Sequence, residues 1–323
     1  MKILYIAEIV GKAGVYAVKK CLPELKKEKK PDFIIACADG VTGGNGLGRN
    51  HAAYLRKLGI QVLTTGECCF YKKDLTENLG KLSYVLRPDN INIEAPGNGS
   101  RVYKTGNEKA AVAVLLGQSG FNRLHGNNPF SGLPALLERL RQETPYVIID
   151  FHALATAEKQ TFFSMADGGC SAIIGSHTRV QTTDERVLPG GTAIITDAGR
   201  TGSSESVWGN DRESRIKEYI SGIPDWTREA WDKPELQGVI IEIAENGKAL
   251  SIERIRIAAP QAPVSGDEKS FDAQDENQGE SQDETPDEAP DEAPDEASDA
   301  ATGETPDAVT DKTAAEHSGA FGD

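Results

Sequence analysis

The sequence has no apolar stretch near the ~20 residues that span a bilayer, so no membrane partner is expected. Cysteine is sparse and odd in number: Cys21, Cys37, Cys68, Cys69 and Cys170. Five thiols in a chain of 323 residues do not make a disulfide framework. The apolar run at 2–10 lacks a basic lead of useful length and a small-residue cleavage site. These absences predict a reducing cytoplasm. Neither G-x-G-x-x-G nor G-x-x-x-x-G-K-[ST] occurs, so two common glycine-loop nucleotide fingerprints are missing. Histidine is also scarce, with five residues in all.

Large apolar residues are nearly missing from 259–323, where Val264, Phe271, Val309 and Phe321 are the exceptions. That segment repeats Asp-Glu-Ala-Pro and holds 20 Asp/Glu against 2 Lys. Of the chain's 35 basic and 50 acidic residues, 33 and 30 therefore fall in 1–258. The net charge of -15 describes the tail and says little about the body. Such a tail cannot bury enough apolar surface to offset roughly 1–2 kcal/mol of chain entropy per residue. The expected division is a folded domain over 1–258 and a disordered acidic tail over 259–323. The tail reads either as a solubilising, self-repelling segment or as an arm for a basic partner or for the chain's own basic surface.

The body begins with a strand, a helix over 15–28, a strand over 33–38, a helix over 51–58 capped by Asn50, and a strand over 61–65. This rhythm predicts a largely parallel α/β core. Further strands are expected over 111–116, 146–151, 171–175 and 192–196, with a helix over 132–142. Asn246-Gly247 marks a hairpin between 238–244 and 249–257. From Gly175 onward little helix is expected, which predicts a second, more antiparallel sheet packed on the first.

Function in open α/β sheets gathers at the carboxyl ends of strands. The early strands end in Glu8, in Asp39, and in Glu67 followed by Cys68. Later ones end in Asp150 with His152, and in Gly175-Ser176-His177-Thr178-Arg179. A lone carboxylate there more often caps a helix, and a lone His is more often structural. Five such ends together point to a metal site, and mixed carboxylate and imidazole donors suit Zn, Fe or Mn. The run 43–48 follows the second strand, with Gly44, Asn45 and Gly46 as its candidate substrate loop. It reads equally as a phosphate cradle or as a flexible loop over the site.

Several segments resemble the YmdB-like family of bacterial metallophosphoesterases across 1–258. They include the opening Lys2-Ile3-Leu4-Tyr5-Ile6-Ala7-Glu8, Leu86-Arg87-Pro88, Ile149-Asp150-Phe151-His152-Ala153, Gly175-Ser176-His177-Thr178 and Thr196-Asp197-Ala198-Gly199. The resemblance implies a calcineurin-like metallophosphoesterase fold, an αββα sandwich of two packed sheets flanked by helices. It also implies two metal ions, hydrolysis of phosphodiesters including 2′,3′-cyclic nucleotides, and a homo-oligomer.

Against that pattern the site positions are altered. The family's Asp is Glu8, its Glu-Asn is Asp39-Gly40, its Gly-Asn-His is Gly66-Glu67-Cys68, and its His-x-His is His177-Thr178-Arg179. One implied metal falls to Asp39, Glu67, His152 and His177, all able to ligate. The other falls to positions 8, 39, 40 and 179, where Gly40 has no side chain and Arg179 is a permanent cation. The expectation is one ion, with Arg179 near Glu8 in place of the second and available as a phosphate clamp. Cys68 stands at the family's leaving-group His, and a thiol is a poor acid for that task. Two readings follow for a phosphate-ester or nucleotide ligand: a phosphodiesterase with weak or lost hydrolysis, or a catalytically silent binding scaffold.

Overall fold

The computed structural model describes residues 1–224 and 227–260. The first stretch runs β1 (Lys2–Ile6), β2 (Glu8–Ile9), α1 (Gly11–Lys29), β3 (Phe33–Cys37), α2 (Arg49–Lys57), β4 (Val62–Thr64), α3 (Lys73–Thr76) and β5 (Val85–Leu86). The middle runs β6 (Ser100–Thr105), β7 (Glu108–Leu116), α4 (Pro129–Glu143), β8 (Val147–His152), α5 (Thr156–Ala166), β9 (Ala172–Ser176), β10 (Arg186–Val187) and β11 (Ala193–Ile195). Last come β12 (Arg200–Ser203), α6 (Arg212–Ser221), β13 (Pro234–Ile243) and β14 (Ala249–Ala258). The expected acidic tail lies outside the described residues beyond Pro260.

Side-chain alternation along the strands sets four layers. On β1, Leu4 and Ile6 pack outward against Val15, Val18, Leu22 and Leu25 of α1, whose spacing follows the helical period. Ile3 and Tyr5 face inward, toward Val112, Ile148 and Ile174 of the other sheet. On β8, Val147, Ile149 and Phe151 face outward onto Leu133 and Leu136 of α4 and Phe162 of α5. Helices thus flank two face-to-face sheets. The same parity puts Asp150 and His152 on the inner face.

One sheet has the order β2-β12-β13-β1-β3-β4-β5 with β14 on β13, and the other β10-β11-β9-β8-β7-β6. The expectation of a more antiparallel second sheet after Gly175 is corrected here. The second sheet is built from 100–195, and β7, β8, β9 and β11 pair in parallel. Instead β12, β13 and β14 return to the first sheet, where β13 lies antiparallel to β1. The reason is α5, which the sequence reading did not mark and which supplies the crossover between β8 and β9. Asn50 is not the cap of α2. That helix starts at Arg49, whose amide is met by Asp74 Oδ2 at 2.8 Å. Asn128 is a cap, accepting from Phe130 N and Ser131 N with Pro129 at the first turn. It starts α4 earlier than the expected 132.

Two features stand apart from the layers. No helix among the described residues is long and apolar enough to cross a membrane. Helix α6 buries none of its residues and leaves Ile216, Tyr219 and Ile220 exposed.

Lys159 of α5 is fully buried. Its Nζ donates to Asp197 Oδ2 at 2.9 Å and to the Ser176 carbonyl at 2.8 Å. Removing one member of a buried pair leaves the other uncompensated, which typically costs about 3–5 kcal/mol. Urea unfolding of the full chain carrying Lys159→Ala should lose stability on that scale. A loss within ~0.5 kcal/mol, as at ordinary surface positions, would contradict the pair's role.

Candidate metal centre

The carboxyl ends of both sheets converge on one edge. From the first sheet come Glu8, Asp39 and Glu67; from the second come His152 and His177. Glu67 is central. Its Oε2 meets His152 Nε2 in a short contact, and its Oε1 lies 3.1 Å from His177 Nδ1. Asp39 Oδ2 lies 3.7 Å from His152 Nε2. Donor atoms of Glu67, His152 and His177 all fall within 4.8 Å of one another, as do those of Asp39, Glu67 and Cys68. Bonds of ~2.0–2.3 Å from a central ion require donors spaced on this scale, so the donors of each triplet are spaced as metal ligands.

Backbone geometry holds these groups in place. Asp39 accepts from Gly66 N at 2.5 Å and from Cys68 N at 3.2 Å, which ties the turn after β4 to the end of β3. A Cβ on Gly66 would lie 2.2 Å from His152 Nε2, so only glycine permits this approach. His177 and Arg179 both have positive φ, 95° and 59°. Thr178 between them is pinned by its amide and hydroxyl to Asp197 Oδ2, at 2.9 and 2.6 Å. The buried Lys159–Asp197 pair thus anchors a turn that is strained at two non-glycine residues.

His152 is oriented from below. Ser176 Oγ donates to Asp150 Oδ1 at 2.6 Å, and His152 Nδ1 lies 2.8 Å from the same Oγ. The hydroxyl has one proton, and it goes to Asp150. The remaining contact is therefore Nδ1–H donating to Ser176, which directs Nε2 into the site. Asp150 also accepts from Tyr5 Oη at 2.7 Å and from Thr64 Oγ1. It is a buried bridge between the sheets and not a member of the ligand set at their edge.

Ionisation follows from this crowding. Burial pushes Asp39 up to about 8, helped by the Glu67 charge beside it. Burial alone would lower His152, but Glu67, Asp39 and Glu8 raise it to about 10. Burial also opposes charge on Glu67, yet His152 and His177 hold it below the usual carboxylate range. Without a metal ion the centre therefore retains protons that an entering cation would displace.

Arg179 closes the other half. Its Nε and Nη2 donate to Glu8 Oε1 at 2.9 and 2.6 Å. Nη2 also reaches the Gly44 carbonyl at 2.9 Å, and Nη1 the Trp208 carbonyl at 3.0 Å. The guanidinium carbon lies 3.9 Å from the Trp208 ring centroid. These bonds engage four of the five guanidinium N–H groups. A Cβ on Gly40 would lie 2.7 Å from Arg179 Nη2 and 3.0 Å from Glu8 Oε1. The missing side chain at 40 and the arginine at 179 are therefore one packing solution.

The remaining candidates divide. Gly44 lies buried against Arg179, Gly46 N bonds the Asp39 carbonyl at 2.5 Å, and Asn45 between them is exposed. Cys68 is buried, and burial with the charges of Asp39, Glu67 and Glu8 pushes its thiol far above the usual range. Sequence reasoning gives no role to Ser176, Lys159, Asp197, Trp208 or Phe121, whose ring centroid lies 5.0 Å from that of His177.

The comparisons agree with this architecture. The model of the YmdB-like protein family matches residues 4–255. The 2′,3′-cyclic-nucleotide 2′-phosphodiesterase of Bacillus subtilis (strain 168) is 37% identical over 258 residues, covering 80% of this chain and 97% of that protein. The crystal structure of a novel phosphatase from Mycoplasma pneumoniae superimposes with a TM-score of 0.76 at 32% identity, over 81% of this chain and 94% of that one. A hypothetical protein from Thermus thermophilus gives a TM-score of 0.75 at 30% identity, over 80% of this chain and 100% of that one. The chain belongs to the YmdB-like family, and its fold is that of the calcineurin-like metallophosphoesterases.

A double-mutant cycle tests the Gly40–Arg179 packing. Gly40→Ala should destabilise the full chain by ~1–3 kcal/mol through overpacking. In an Arg179→Ala background the added methyl group should be tolerated, giving a coupling of ~0.5–3 kcal/mol. Additive effects in chemical denaturation would contradict the contact.

Proposed function

We propose that this member of the YmdB-like family holds a single divalent ion (iron, manganese or zinc) through Asp39, Glu67, His152 and His177. The site would act on phosphate esters or nucleotides with much weaker hydrolysis than a two-ion enzyme. The observation that carries this reading is the Arg179–Glu8 pair seated beside Gly40. It fills the half of the site that the resemblance assigns to a second ion. Arg179 neutralises Glu8, and Asp39 and Glu67 offer two further carboxylates to a divalent ion.

When bound, the ion supplies Lewis acidity toward a phosphoryl oxygen. The chain's own groups do the rest. Asp150 and Ser176 aim His152, and Asp197 fixes the turn carrying His177. Arg179 holds the Gly44 loop against the site, with one Nη1–H left for a phosphate oxygen. Asn45 of that loop is exposed to an entering ligand. The phosphodiesterase activity named for the Bacillus subtilis relative makes 2′,3′-cyclic nucleotides the first substrates to try.

A second reading is a silent phosphate- or nucleotide-binding scaffold, with the acidic tail on a basic partner. Cys68 favours it. A buried, protonated thiol is neither a nucleophile nor an acid suited to a leaving alkoxide.

The full chain loaded with manganese or zinc should carry one ion per chain. It should hydrolyse a 2′,3′-cyclic nucleotide at least ~10²-fold more slowly than the Bacillus subtilis enzyme assayed beside it, the lower end of a general-acid contribution. His152→Ala should reduce both bound metal and residual turnover. Two ions per chain with matching turnover would overturn the reading. One ion with no turnover selects the scaffold.

A further inference from the structure

Cys68 occupies a setting unlike those of Cys21, Cys37 and Cys170. Each of those three lies within an apolar cluster, where a free thiol serves as a small hydrophobe. Cys68 belongs to none of these clusters, although it is only 4% exposed. Its Sγ instead joins oxygens of Asp39 and Glu67 in a group spanning no more than 4.8 Å. That group shares Glu67 with the Glu67–His152–His177 group, so Glu67 links the thiol to the two imidazoles.

An unpaired carboxylate oxygen lies at the same edge. Glu8 is 2% exposed, and its Oε2 has no hydrogen-bond partner because Arg179 binds Oε1 twice. A buried carboxylate oxygen left unpaired is costly unless a positive charge lies nearby. A Cβ on Gly40, the residue after Asp39, would lie 3.0 Å from Glu8 Oε1, so Glu8 stands beside the Asp39 turn.

We propose that the Cys68 thiolate is a ligand of the same divalent ion, which makes this a mixed carboxylate–imidazole–thiolate site selective for thiophilic metals. The inference rests on the single-ion reading above and adds the donor that sets the metal's identity. A thiolate favours zinc, cobalt or ferrous iron over magnesium or manganese. Binding displaces the thiol proton to solvent and forms the metal–sulfur bond, with no change of oxidation state. Position 68 thereby changes from a group facing the leaving oxygen to a group facing the ion. The added negative charge also disfavours an anionic phosphate at the same ion, in keeping with weak hydrolysis.

Cobalt(II) alone serves as the probe, titrated into the metal-stripped full chain. Visible d–d absorption reports that the ion is bound, and a near-ultraviolet thiolate-to-cobalt charge-transfer band reports sulfur ligation. The wild type should show both. Cys68→Ser and Cys68→Ala should each keep the visible bands and lose the charge-transfer band, whereas Cys69→Ser should keep both. The preference for zinc over manganese should fall at least ~10-fold in Cys68→Ser, the low end for perturbing a ligand's surroundings. Visible bands without charge transfer in the wild type would overturn the thiolate ligand and leave the single-ion site standing. So would a charge-transfer band that survives Cys68→Ala. Failure to bind cobalt at all would overturn the metal site itself, and the proposal with it.

Discussion

The ion pair between Arg179 and Glu8 is the constraint on which the rest of the centre depends. Both side chains are buried, and neither charge could stay there alone. The guanidinium needs a place to lie, and Gly40 gives it one by having no side chain. It needs acceptors for its other donors, and the carbonyls of Gly44 and Trp208 supply them. Two loops far apart in sequence are drawn together as a result. The pair also divides the site electrostatically. On its own side, charge is balanced by protein. On the other side, Asp39 and Glu67 face two histidines and a thiol.

The ligand side is built by a different device. His152 is aimed through Ser176 by Asp150, and Asp150 is held by Tyr5 and Thr64 from the opposite sheet. The sandwich itself therefore orients the imidazole, since the second sheet alone would leave Asp150 without Tyr5 and Thr64. Lys159 and Asp197 do the same for the turn that carries His177 and Arg179. The strain of two left-handed residues in that turn is offset by a buried pair rather than by glycine. These supports are rigid, which suits a site whose donors must meet one ion at bond length.

Much of this was legible in the sequence, and the rest was hidden for identifiable reasons. Glu8, Asp39, Glu67, His152 and His177 could be found because each follows an apolar strand, and strand ends gather function. Asp150 was found too but misplaced. Its parity matches that of His152, and a sequence does not tell which of two inward residues reaches the edge and which lies beneath it. Helix α5 escaped notice because Lys159 interrupts its apolar face, and the partner that makes Lys159 a core residue lies 38 positions away. The return of β12 to β14 to the first sheet escaped for the same reason, since strand pairing across the whole chain leaves no local mark. The link between Gly40 and Arg179 could be seen only as two separate departures from a family pattern. The contact between them required coordinates.

Crystals of the full chain grown with manganese or zinc, with anomalous data collected at the metal's edge, test the central claim most directly. The account predicts one anomalous peak, bounded by Asp39, Glu67, His152 and His177, with the Arg179 guanidinium still against Glu8. A second peak beside Glu8 and Gly40, with Arg179 swung away, would contradict it.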